Sequence, residues 1–93
     1  MKKKKLQIAR NEIDKVDKKI FYLIKKRTKI VKYMLSLKKF KKQIIDHKRI
    51  AEVLNKIKNR SIKNKIDPKI TNRIWKAMIW GYVDFQRKNF KKK

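Results

Sequence analysis

Apolar residues recur at steps of three and four through Leu6, Ala9, Ile13, Val16, Ile20, Leu23, Ile24, Ile30, Val31, Met34 and Leu35, in a stretch free of Gly and Pro. That period marks an amphipathic helix with one apolar stripe, and it predicts a single long helix over about 6–38. Projected at about 100° per residue, Arg10, Asp17, Ile24, Val31 and Lys38 fall on one heptad-spaced line, and Arg27 sits one turn beyond Ile24 on the same side. Arg10, Arg27 and Lys38 therefore point toward the stripe, while Lys15, Lys18, Lys19, Lys25, Lys26, Lys29 and Lys32 line the other faces. A cation held at an apolar stripe is expensive unless something pairs with it, although long basic side chains also border such stripes and reach out to water. Three together are candidates for an anion site. Arg10 and Arg27 lie roughly 25 Å apart along a helix, too far for one small ligand to touch both in the same chain. Two antiparallel copies would bring Arg10 of one toward Arg27 of the other. The helix is also roughly 50 Å long by its rise, so part of its stripe would be bare in a monomer. The expectation is an obligate dimer.

After Lys38 the period breaks. Residues 39–46 are expected to form a connecting loop in which Phe40, Ile44 and Ile45 fold down as the edge of a lid. Asp46 is placed to cap a second helix over about 47–63, whose inner stripe is Ile50, Val53, Leu54 and Ile57. Arg49, in its first turn, suits either a capping salt bridge with Asp46 or a ligand contact. Asn64 to Ile66 form a turn, and Asp67-Pro68 combines an N-cap carboxylate with proline at the first helical position. The third helix then spans about 68–89, with Ile70, Ile74, Trp75, Met78, Tyr82 and Phe85 expected inward. Gly81 costs about 1 kcal/mol against alanine in a helix and suggests the close approach of another backbone. Gln86 follows Met78 and Tyr82 at steps of four, and an inward amide needs a partner, from a neighbouring side chain or from a ligand oxygen. The last residues, Lys91 to Lys93, are expected to fray.

Three helices in 93 residues make one all-α domain, 1–93, adequate for a helical bundle, the more so if a second copy completes it. Charge adds a second feature. With 32 Lys and Arg against 7 Asp and Glu the formal charge is +25, a field that attracts small polycarboxylates, RNA and acidic lipid alike. Lysine is spread over every outer face, and Phe21, Trp75, Tyr82 and Phe85 lie at inward spacing, so no dedicated nucleic-acid binding is expected. The absence of cysteine and a lone His47, expected exposed in a first turn, offer no disulfide and no metal cluster. The basic start is followed by Gln7, Arg10, Asn11 and Glu12 rather than by a signal-peptide core, and no run of about 18 apolar residues could span a membrane. A cytoplasmic protein is expected.

The order of these features resembles the AroQ class of chorismate mutases across about residues 6–90. ARNEIDKVDKKIFYLIKKR is similar to the family's two arginines framing Ile-Asp repeats, and LKKF supplies its lysine. DHKRIAEVL resembles the Asp-x-x-Arg motif, and DPKITNRIWKAMIWGYVDFQ the last helix with its glutamine. The resemblance implies a three-helix fold in an intertwined homodimer whose long first helices cross between subunits. It implies that Arg10 is donated to the partner's site and that Arg27 is its companion, each clamping one carboxylate of chorismate. Lys38 and Gln86 would flank the ether oxygen of the breaking bond, and Asp46, Arg49, Ile50 and Tyr82 would complete the substrate pocket. The implied reaction is the Claisen rearrangement of chorismate to prephenate in the shikimate pathway of aromatic amino acid biosynthesis. It needs no metal and no cofactor.

Two departures bear on the reaction. A glutamate that in many of these mutases follows the Asp-x-x-Arg arginine is here Ile50, and Tyr82 stands where a smaller residue is common. Both are similar to the isochorismate pyruvate lyase branch of the same fold, which releases salicylate and pyruvate. Asp46 is retained in the mutase manner, and mutase is the favoured expectation.

Overall fold

The computed structural model describes residues 2–91. It contains three helices, α1 (Lys2–Leu37), α2 (His47–Lys63) and α3 (Pro68–Asn89), with a short 3-10 turn at Lys41–Gln43 between the first two. Among the described residues there is no strand, so the fold is all-α, as expected. The chain divides into two compact units, one ending at Tyr33 and one beginning at Met34.

The first unit is the long helix up to Tyr33. It starts four residues before the expected boundary because Lys2 to Lys5 are good helix formers and continue the ladder. Local pairs along its surface include Gln7 Nε2 donating to Asn11 Oδ1 at 3.0 Å and Lys26 over the Tyr22 ring. The expected stripe is present in register, but of its residues only Val31 is buried; Ile13, Val16 and Leu23 are 58%, 54% and 59% exposed.

The second unit is built on the α2–α3 hairpin. Asp46 caps α2 by accepting from the Arg49 backbone N–H at 3.0 Å, and Asp67 caps α3 by accepting from Lys69 N–H at 2.9 Å, with Pro68 following at the start of the helix. Between the two helices the chain reverses through Lys65, whose φ of 57° is left-handed, and Ile66 N–H returns to the Ser61 carbonyl at 2.9 Å. Ile44, Ile57, Ile79 and Val83 form the buried core. Ser61 and Thr71 share a hydroxyl–hydroxyl bond of 2.6 Å across the helix pair, and Ser61 Oγ also donates to the Ile57 carbonyl. This satisfies the buried serine.

The inward face of α3 holds in part: of the residues expected there, Trp75, Met78, Tyr82 and Phe85 are half-buried. Ile70 and Ile74 are 55% and 53% exposed, whereas Ile79, Val83 and Gln86 are buried. Helix α3 carries apolar residues on more than one side, and contact with α2 selects the side holding Ile79 and Val83. Gly81 is not pressed by another backbone in this chain, since a Cβ there would meet nothing within 4 Å.

Candidate active site

Lys38 lies one residue past the end of α1, on the descending turn where its N–H still reaches the Leu35 carbonyl at 3.1 Å. Having left the helix, its side chain is not bound to the helical wheel that suggested it. The following loop is held by Gln43, whose Oε1 accepts from both Lys39 N–H and Phe40 N–H at 2.8 Å. Gln43 had no place among the expected site residues. The available signal was its spacing, three residues after Phe40 at the start of a short turn, where a Gln can reach back to cap it. Ile44 is buried and anchors the loop from below, while Phe40 stays 60% exposed; only the aliphatic part of the expected lid edge folds down.

The anchored loop sends Lys38 toward α3. Its Nζ donates to Gln86 Oε1 at 2.7 Å, a contact between residues 48 apart in the chain. Gln86 is buried at 7% exposure, and its Nε2 donates at 3.2 Å to the carbonyl of Tyr82, one turn back. The ammonium has only donors, so it dictates that the carbonyl end of the amide faces it. Lys38 is half-buried, and desolvation by that burial pulls its pKa below the ordinary lysine value, while the Asp46 carboxylate opposes the shift. Asp46 therefore acts twice, as the cap of α2 and as a counter-charge to Lys38.

Arg49 is exposed, and its guanidinium pairs with Glu52 at 3.6 Å rather than with Asp46, which takes only the Arg49 backbone N–H. The helix geometry explains this: the N-cap carboxylate is turned onto the first free N–H groups, and Glu52 is the carboxylate one turn ahead. Ile50 is half-buried and its N–H bonds the Asp46 carbonyl at 2.9 Å. Tyr82 is half-buried. The second unit thus gathers Lys38, Gln86 and the Tyr82 carbonyl by direct contact, with Asp46 near enough to act on the lysine charge. Arg10, exposed, and Arg27, half-buried, belong to the first unit. Among the described residues no group of His, Cys, Asp and Glu could hold a metal ion, and no helix is long and apolar enough to cross a membrane.

A buried amide oriented by a desolvated ammonium is a fixed pair of polar groups, suited to an oxygen that gains negative charge during a reaction. The family model for chorismate mutase type II matches residues 9–87, a span that contains both arginines, the loop lysine, the Asp46 cap and the buried glutamine. The chain belongs to the chorismate mutase type II family. Comparison with curated proteins and with solved structures returned no match.

Proposed function

We propose that this protein is a chorismate mutase acting as a homodimer on chorismate. The observation that carries the reading is the 2.7 Å bond from Lys38 Nζ to Gln86 Oε1 in a chain of this family. In the rearrangement the carbon–oxygen bond to the ether oxygen breaks ahead of carbon–carbon bond formation, and that oxygen gains negative charge. Lys38 keeps N–H donors beyond the one given to Gln86, and the Gln86 Nε2 can exchange the long bond to the Tyr82 carbonyl for the ether oxygen. Donors aimed at a charge that grows only in the transition state lower the barrier more than they tighten substrate binding. The reaction is intramolecular, so the remaining work is to hold the reactive chair, with no cofactor taking part.

The substrate's two carboxylates require further cations. Arg27 of one protomer and Arg10 of its partner take these roles in this reading, with Arg49 and Asp46 at the pocket edge and Ile50 and Tyr82 as its walls. The exposed stripe of α1 supports a second copy, because Ile13, Val16, Ile20 and Leu23 on one helix form a continuous apolar face that water disfavours.

A second reading is an isochorismate pyruvate lyase. Ile50 favours it, since an aliphatic residue there offers no acceptor for the substrate hydroxyl. One experiment separates the two: chorismate loss with prephenate formation and isochorismate conversion to salicylate plus pyruvate, assayed on one purified sample. Prephenate formation well above salicylate formation is the expected result. Fast salicylate release with slow prephenate formation would transfer the assignment to the lyase.

A further inference from the structure

The expectation of no dedicated nucleic-acid binding rests on lysine spread over every outer face and on aromatics at inward spacing, and Trp80 is not among those aromatics. In the structure Trp80 is 43% exposed on α3. Its neighbours along the helix are basic. At roughly 100° per residue, Lys69, Arg73, Lys76, Trp80 and Arg87 fall within a band of about 60°, and all are exposed. The band runs about 27 Å from Lys69 to Arg87, with cations on both sides of the indole in chain order. Among the described residues no ion pair takes up Lys69, Arg73, Lys76 or Arg87. Asp84 borders the band and lowers its charge by one without pairing to it.

We propose that this outer face of α3 binds a single-stranded polynucleotide, with one base stacked on Trp80 and the phosphates following Lys69, Arg73, Lys76 and Arg87. Two features favour a single strand. A duplex keeps its base faces covered, so an exposed indole gains nothing from it, whereas an open strand offers a π-face at every nucleotide. Lys69, Arg73 and Lys76 follow one another about one helical turn apart and Arg87 lies three turns further on, beyond Trp80, and this line matches an extended backbone about four to six nucleotides long. The +25 field of the whole chain adds attraction from a distance, but it does not account for a ring standing in the middle of a cationic line.

The proposal is independent of the mutase reading, because Gln86, to which Lys38 is bonded, lies on another side of α3. The test uses the full chain and fluorescence anisotropy of a short labelled oligothymidylate, with the matching duplex alongside, across a salt series. Trp80→Ala is expected to weaken single-strand binding about tenfold and to leave duplex binding unchanged, while Trp80→Phe retains most of the affinity. Arg73→Gln with Lys76→Gln is expected to reduce the salt slope for the single strand by about 1.4. Arg60→Gln with Lys63→Gln on α2 removes the same residue types at the same spacing, and there the slope is expected to stay as it is. Equal losses from the two double variants would overturn the proposal in favour of a diffuse field. So would duplex binding as tight as single-strand binding, or a Trp80→Ala variant that dissociates copies of the chain while its oligonucleotide affinity is unchanged.

Discussion

Lys38 is where chemistry and environment meet most closely. Burial lowers its pKa and Asp46 partly restores it, so the positive charge that the proposed mechanism calls on is supported by a carboxylate that also caps a helix. Activity is therefore expected to fall as pH rises through a midpoint below that of an ordinary lysine. Stability responds in the opposite sense: a lysine with a depressed folded pKa opposes folding while protonated, so deprotonation in that window does not weaken the fold. Asp46→Asn separates the roles of the carboxylate, because asparagine caps as well as aspartate but carries no charge. The alkaline limb of the kcat/KM profile should move to lower pH in this variant with the melting temperature nearly unchanged; an unmoved limb would remove Asp46 from the electrostatics of the site. Lys38→Met keeps the stem and deletes the ammonium. It should cost about 10²–10³ in kcat/KM while the far-ultraviolet helical signal persists, and loss of the fold would make Lys38 structural instead.

At the level of the elements, the helix starts are set by short-range chemistry that can be tested one group at a time. Asp67 accepts from Lys69 N–H ahead of Pro68, and Asp67→Ala should destabilise the fold by about 1 kcal/mol, read from the urea midpoint. Gly81 is the more informative position. Among the described residues, its own helical backbone aside, nothing lies within 4 Å of a Cβ placed there, so in an isolated chain Gly81→Ala should stabilise α3 by up to about 1 kcal/mol through helix propensity. If the backbone of a second copy packs on Gly81, the same substitution weakens association, and sedimentation measured beside thermal unfolding distinguishes the two results.

For the whole molecule the question is what covers α1. A 36-residue helix with an exposed apolar stripe and lysines on its other faces is poorly suited to stand alone in water. The dimer reading makes a direct prediction about shared sites. Arg10→Ala and Arg27→Ala homodimers should each be nearly inactive, and mixing them with subunit exchange should restore activity through heterodimers holding one intact site. No recovery in a sample shown to exchange subunits would leave the arginines without shared roles. The +25 charge should also speed capture of a dianion, so kcat/KM is expected to fall with rising ionic strength more than kcat does.

Much of this architecture was legible in the chain because it is local. Asp46, Asp67 and Pro68 mark helix starts through bonds that reach only two or three residues, and the three-and-four spacing of Leu6 to Leu35 marks α1 through its own period. Lys38 was identifiable as a cation directed at the apolar stripe and Gln86 as an amide in line with Met78 and Tyr82, and Gln43 was readable only as a spacing whose purpose the loop supplies. What tertiary structure decided is of another kind. Which side of α3 is buried, Ile79 and Val83 rather than Ile70 and Ile74, depends on its packing against α2. The 2.7 Å approach of Lys38 to Gln86 depends on where a whole hairpin returns to the end of α1, over a separation of 48 residues. Propensity and capping act within about one turn and so are written in neighbouring residues, whereas the choice between competing apolar faces is made by shape and burial among distant segments.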